Sequence, residues 1–281
     1  MTIAAVWHDT EGVWVAADTR ISRPDRSGSG VAITTDAGAK VYPLPISCRM
    51  APRNLTELAT FGPLFYKGTL GLAFAGNVSA ASQAIATMSL ACGQLTGSAS
   101  TPPSLDDLAS LLGRILKRYV ENIREVTNNL KDRGLCDFVI FGKCPASNEM
   151  QIRHISDEFD GSEVTIRITD VSTSASFPGV IIGGEDEIKR FMSRYAQLRI
   201  DNTAARLPKR IVAEMAGEGR GAVGGSVSIG LADFTSEFRV YWTAEPIRYG
   251  EPTARRTLNG IDIDVELGRV GPLVIGTFGM G

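Results

Sequence analysis

The sequence predicts an α+β fold, a four-layer αββα sandwich in which two mainly antiparallel sheets lie between helix layers. Three observations carry this. Two short runs rich in β-branched and aromatic residues open the chain around a polar turn, which is a hairpin pattern. A long run of apolar residues at helical spacing follows at 105–123, and two more helical stretches precede a last pair of strands. Elements in that order bury their apolar faces when sheet packs on sheet and a helical layer covers each outer face.

The first hairpin pairs Ile3-Ala4-Ala5-Val6-Trp7 with Gly12-Val13-Trp14-Val15-Ala16-Ala17 and ends in Asp18-Thr19-Arg20-Ile21-Ser22. Antiparallel pairing sets Asp18 beside the start of the first strand. Gly38-Ala39 closes a loop, and Lys40 leads a short apolar strand that Pro43 and Pro45 are expected to end, because proline lacks the N–H that a ladder needs. A strand at 69–75 closes on Gly76 and passes into an Ala-rich helix at 80–92. Ser104 and Asp107 form a capping-box pattern at the start of the long helix, each able to satisfy a free N–H of the first turn. Leu105, Leu108, Leu112, Leu116 and Val120 then share a face that must be buried. Strands are expected at 137–141, 150–155, 226–232 and 237–242, an apolar run at 180–182, and helices at 185–198 and 208–215. The segment 45–67 reads as an inserted loop and the residues from 244 as a C-terminal extension. No linker divides the 281 residues, so a single domain over 1–281 is expected.

Composition removes several classes of function. Lys and Arg number 29 against 31 Asp and Glu, which gives no basic field for nucleic acid or an anionic membrane. No apolar run approaches the roughly twenty residues of a membrane span, and the first residues lack the basic region of a signal peptide. Cys48, Cys92, Cys136 and Cys144 have no Cys-x-x-Cys spacing, and His8 and His154 are too scattered for structural zinc. The expectation is a cytoplasmic protein with reduced thiols and neither metal nor cofactor. Gly219-x-Gly221-x-x-Gly224 matches a dinucleotide fingerprint in letters only. It follows a helix and precedes a strand, the reverse of what phosphate binding at a helix N-terminus requires.

Thr2 is the candidate nucleophile. Removing one methionine makes this threonine the first residue, and its free α-amine, with an ordinary pKa of about 7.7–8.0, then serves as base for its own hydroxyl. Thr2, the Asp18-x-Arg20-x-Ser22 strand end, Lys40 opening the next apolar strand and an apolar strand closing on Ala75-Gly76 before a helix together resemble the proteasome β-subunit branch of the N-terminal nucleophile (Ntn) hydrolases, which includes the Anbu proteins and the bacterial unfoldase-partnered peptidase. The likeness is good over residues 2–92 and beyond them extends only to element order. It implies that Thr2 is the nucleophile, that Lys40 lowers the proton affinity of its amine and hydroxyl, that Asp18 holds Lys40 charged, and that the Gly76 N–H receives the oxyanion. Arg20 and Ser22 are implied as supporting residues. It further implies a threonine-type endopeptidase acting on peptides or unfolded protein from a homo-oligomer, with a ring as one arrangement and an ATP-driven unfoldase partner unidentified.

The second half departs from that pattern. Where the family carries an acid and a hydroxyl before a Gly-Gly pair, this chain has Arg220 and Val223, and Ile182-Gly183-Gly184 has glycine in place of serine. Glu218 and Ser226 are the candidate substitutes. Two alternatives therefore stand beside the peptidase: a catalytically weak or inactive proteasome-like scaffold, and an Ntn amidase acting on small amides.

Overall fold

The computed structural model describes residues 2–24, 30–51, 62–127, 136–159, 163–171, 177–201, 206–235, 237–246, 254–267, 269–270, 272–274 and 278–280. It contains β1 (Ile3–Asp9), β2 (Gly12–Asp18), β3 (Ile21–Pro24), β4 (Val31–Thr35), β5 (Val41–Met50), β6 (Leu64–Gly76), α1 (Val78–Cys92), β7 (Leu95–Gly97), α2 (Leu105–Thr127), β8 (Cys136–Lys143), β9 (Met150–Phe159), β10 (Val164–Asp170) and β11 (Gly179–Gly183). The chain continues through α3 (Glu185–Asp201), α4 (Leu207–Glu218), β12 (Val227–Asp233), β13 (Phe238–Pro246), β14 (Ala254–Leu258), β15 (Ile261–Asp262), a π-helical turn at Ile263–Leu267, β16 (Arg269–Val270), β17 (Leu273–Val274) and β18 (Phe278–Met280).

Two sheets dominate. One has the order β11-β1-β2-β12-β13-β14-β15, with β18 added to β13, and the other has the order β10-β9-β8-β6-β5-β7. The pairings are antiparallel except β5 with β7 and β13 with β18. β1 and β2 sit inside the first sheet and are apolar on both faces. Period-two alternation divides their side chains. Ala4, Val6, Val13 and Val15 join Val41, Ala73, Val139 and Phe141 of the second sheet in one core cluster. Ile3, Ala5, Trp7 and Trp14 turn the other way, onto Phe191 and Tyr195 of α3 and Ile211, Val212 and Met215 of α4. A third cluster packs Leu44, Leu72, Phe74 and Phe138 against Ala84 and Met88 of α1 and the Leu105, Leu108, Leu112, Leu116 stripe of α2.

The helices start where the side chains direct them. Asn77 caps α1 by accepting from the Ala80 N–H at 3.0 Å. At α2, Ser104 Oγ accepts from the Asp107 N–H at 3.1 Å, while Asp107 accepts back from the Ser104 N–H at 2.9 Å, the reciprocal arrangement of a capping box.

The structure corrects three readings. Pro43 and Pro45 do not end the lysine-led strand: β5 runs to Met50, with Pro43 opposite Gly71 and Pro45 opposite Thr69 on β6. These prolines lie two residues apart, so their missing N–H groups face the same flank, which is open until β7 joins at Cys48; proline is tolerated on such an edge. The expected inserted loop at 45–67 therefore contributes strand at both ends, and 52–61 lie outside the described residues. The sequence reading also omitted β10, whose Val164, Ile166 and Ile168 alternate along β9, and the small β3–β4 hairpin. Within the extension from 244, Ala254–Thr257 of β14 and Phe278–Met280 of β18 pair onto β13.

Candidate active site

Asp18, the last residue of β2, lies at the middle of a sealed polar cluster. Its Oδ1 accepts from Lys40 Nζ at 2.8 Å and from the Ile3 N–H at 3.0 Å, and its Oδ2 accepts from the Gly224 N–H at 3.1 Å. Both side chains of the Asp18–Lys40 pair are fully buried. Burial pulls the Lys40 ammonium below the usual lysine range, and the Asp18 charge opposes that shift. One carboxylate oxygen thus binds both the Lys40 ammonium and the backbone N–H that follows Thr2.

Arg20 builds the layer behind this cluster. Its Nε and Nη2 grip Asp36 at 2.6 and 3.2 Å, and Nη1 donates to the carbonyls of Gly219 at 3.0 Å and Gly221 at 3.4 Å. The 219–226 segment, which resembled a phosphate loop in letters, is a connection between α4 and β12 held down by this guanidinium. Thr19 contributes alongside, its Oγ1 accepting from the Ser226 N–H at 2.7 Å. Ser22 lies on β3 and does not border the cavity described next.

Thr2 is 4% exposed and borders a cavity of about 260 Å³. Ala75 and Gly76 at the end of β6 form one wall, Cys136 and Asp137 at the start of β8 and Asp157 on β9 form the second, and Gly183-Gly184 forms the third. Gly76 has φ of 113° and Gly183 of 148°, values that disfavour a side chain. At Gly183 a Cβ would also stand 2.1 Å from the Thr2 carbonyl oxygen. Gly183 is opposite Ile3 in the β1–β11 ladder and Gly76 is opposite Cys136 in the β6–β8 ladder. The structure thus brings Thr2 and Gly76 to one cavity and ties Asp18 to Lys40 immediately behind it.

Asp137 and Asp157 escaped the sequence reading. Asp157 is 7% exposed; its Oδ1 accepts from the Cys136 N–H at 2.8 Å, and its buried Oδ2 has no hydrogen-bond partner among the described residues. Burial raises its carboxyl to about 6, with Asp137 adding to the rise and backbone N–H donors opposing it. The Cys136 thiol is pushed well above its ordinary range, chiefly by complete burial, so it is not a nucleophile here. The signal for Asp157 was present, since an acid two residues beyond Ile155 occupies a position that strand alternation marks as buried. Neither candidate substitute reaches the cavity: Glu218 pairs with Arg194 at 2.5 Å, and Ser226 bonds through its backbone to Thr19. Val223 is fully buried in the helix-side core, and Arg220 is exposed. Among the described residues there is no cluster of three His, Cys, Asp or Glu able to hold a metal ion, and no helix is long and apolar enough to cross a membrane.

No family model matches the sequence, and no curated protein matches it. Solved structures are similar to it, one of them with a TM-score above 0.5. The Anbu complex from Pseudomonas aeruginosa, a helical assembly, superposes with a TM-score of 0.53 at 12% identity, over 89% of this chain and 88% of that one. Anbu, described as an ancestral β-subunit, from Yersinia bercovieri is 16% identical over 83% of this chain and 84% of that one, with a TM-score of 0.49. Anbu from Hyphomicrobium sp. strain MC1 is 15% identical over 89% of each chain, also with a TM-score of 0.49. Its mixed helices and sheets, with the superposition on the Pseudomonas complex, make the chain α+β with an Anbu-like fold.

Proposed function

We propose that this chain is a proteasome-like Ntn hydrolase, a single four-layer αββα domain that cleaves amide bonds through Thr2 once the residues ahead of Thr2 are removed. The observation that carries the reading is the position of Thr2: it borders a cavity across from Gly76, while the Asp18–Lys40 pair is sealed behind it. In the first half-reaction the Thr2 α-amine takes the hydroxyl proton as Oγ bonds to the substrate carbonyl carbon. The carbonyl oxygen becomes an oxyanion that accepts from the Gly76 N–H. Collapse breaks the C–N bond, the leaving amine takes the proton, and a Thr2 ester remains. Water, deprotonated by the same amine, attacks the ester; the C–Oγ bond breaks, Oγ takes the proton back from the amine, and the acid leaves. Lys40 is a positioning and charge-setting residue, its ammonium favouring the neutral amine by like-charge repulsion, and Asp18 keeps that ammonium aimed. Arg20 holds the loop whose Gly224 N–H binds Asp18; Ser22 is a peripheral support. Peptides or unfolded protein are the substrates, the chain self-associates as its Pseudomonas counterpart does, and four buried free thiols fit a cytoplasmic setting.

A specific observation favours a second reading. At the positions aligned with the family's acid and hydroxyl, Arg220 faces solvent and Val223 is core, which fits a scaffold without catalysis; a small-amide amidase is the third reading. Intact mass spectrometry before and after a peptide epoxyketone separates them. A mass beginning at Thr2 and a single adduct that disappears in Thr2→Ala is the expected result. A blocked Thr2 amine in protein from the native host, or a free Thr2 that forms no adduct and turns over no amide, overturns the hydrolase. Turnover confined to small amides selects the amidase.

A further inference from the structure

We propose that Asp36, a surface carboxylate, is a positioning residue for the Thr2 chemistry: it aims the sealed Asp18–Lys40 pair from outside, through Arg20 on one side and through the 36–40 segment on the other. The inference rests on the hydrolase reading and adds to it a residue that touches neither substrate nor the reacting atoms. Asp36 lies between β4 and β5, four residues before Lys40. Its side chain is 51% exposed, whereas the Arg20 side chain that grips it is 9% exposed. An ion pair open to water stabilises a fold little by itself. Its effect here is geometric, because two carboxylate oxygens on two nitrogens fix the plane of a guanidinium.

With that plane fixed, Arg20 Nη1 reaches the carbonyls of Gly219, Gly221 and, at 3.5 Å, Val223. Three carbonyls of one connection converge on a single nitrogen. The connection needs this hold, since Gly219 and Gly221 carry φ of 60° and 62° in a backbone without side chains to fix it. The Arg20 N–H donates to the Gly224 carbonyl at 3.0 Å, and the Gly224 N–H ends on Asp18 Oδ2. A second route is shorter. Thr19 Oγ1 donates to the Asp36 carbonyl at 2.5 Å, and the Gly38 N–H donates to the Thr19 carbonyl at 2.8 Å, which sets the segment that delivers Lys40. Both routes end on the carboxylate that binds the Lys40 ammonium and the Ile3 N–H beside Thr2. Charge acts in the same direction. Burial pulls Lys40 towards its neutral form; Asp18 opposes this, the Arg20 charge adds to it, and the Asp36 charge opposes it. Neutralising Asp36 therefore leaves Lys40 less cationic as well as less well aimed, while the direct field of the half-exposed carboxylate on Thr2 is screened. A weaker cation repels the Thr2 ammonium less, so the amine needs a higher pH to become a base.

The rate of peptide epoxyketone adduct formation at Thr2, followed in the assembled protein between about pH 6 and 9, brackets an ordinary α-amine and tests this. In Asp36→Asn the rate at neutral pH is expected to fall about tenfold, as small misplacements of reacting groups produce. The midpoint of the rising limb is expected to move up by about 0.5 pH unit or more. Asp36→Glu keeps the charge and is expected to return the midpoint to the wild-type value. A purely structural role lowers the rate by one factor at every pH and leaves the midpoint in place; that outcome overturns the proposal. So does an Asn variant with the wild-type rate and midpoint, or a Glu variant that matches the Asn one. Should Asp36→Asn fail to fold, hydrogen exchange of the wild-type protein decides. A Gly224 amide protected as well as the Ile3 amide, the other backbone donor to Asp18, supports the proposal, and exchange at the rate of an open loop overturns it. Wild-type protein with a free Thr2 that forms no adduct and turns over no amide removes the hydrolase reading itself, and Asp36 then has no chemistry to position.

Discussion

Deleting one member of the Asp18–Lys40 pair strands the other in a place water does not reach, and removing a single partner of such a buried pair costs about 3–5 kcal/mol. Urea unfolding of Lys40→Met is expected to show a loss of that size, and the Asp18→Leu/Lys40→Met double variant should lose less than the sum of the singles. Asp157 makes an opposite demand on pH. Its carboxyl binds its proton more tightly folded, at about 6, than in the unfolded chain at 3.8, so the stability it contributes is full below about pH 4 and is lost as pH rises through about 6. Asp157→Asn should therefore raise Tm relative to wild type at pH 8, and the advantage should shrink at pH 5. Calorimetry at the two pH values checks this, and a constant difference would show that Asp157 is not held protonated. At this scale Thr2, Asp18, Lys40 and Gly76 were legible because each sits where its strand begins or ends. Asp137 and Asp157 were not, because two carboxylates far from Thr2 in sequence become neighbours of it only when β8 and β9 fold beneath β1.

Glycines decide how closely the elements around the cavity approach. Gly183→Ala would drive a Cβ to 2.1 Å from the Thr2 carbonyl oxygen at a φ of 148°, so β11 and the start of β1 must part. The expected result is a lower Tm together with epoxyketone labelling slowed at least tenfold, since reacting groups misplaced by about 1 Å lose about 10²-fold in rate. Gly224→Ala acts through Arg20: its Cβ would stand 2.3 Å from Arg20 Cζ, pushing the guanidinium off Asp36 and the loop carbonyls. Loss of those bonds should destabilise by about 1–3 kcal/mol, measured by thermal unfolding. Among the elements, the hairpin, the four helices and the order of the main strands were readable from periodicity and caps. The length of β5 was not, because whether a proline ends a strand depends on which flank its nitrogen faces, and that is settled only by the absence of a neighbour before β7.

The whole molecule is held by three clusters, two of which share β1 and β2: these strands contribute residues both to the core between the sheets and to the core under α3 and α4. The proposed self-association predicts a sedimenting species of several chains in analytical ultracentrifugation; a monomer at micromolar concentration would count against it. The sheet order has a further consequence. β2 pairs with β12, Val227 opposite Asp18 and Gly230 opposite Val15, and β1 pairs with β11. During synthesis at roughly 5–20 residues per second, an apolar hairpin leaves the ribosome well over 150 residues before either flanking strand exists. For that interval both of its edges lie open, the state in which strands pair with the wrong partner. Yield from the cell should therefore depend on chaperones that shield nascent chains, even though both edges of that hairpin are paired in the finished protein.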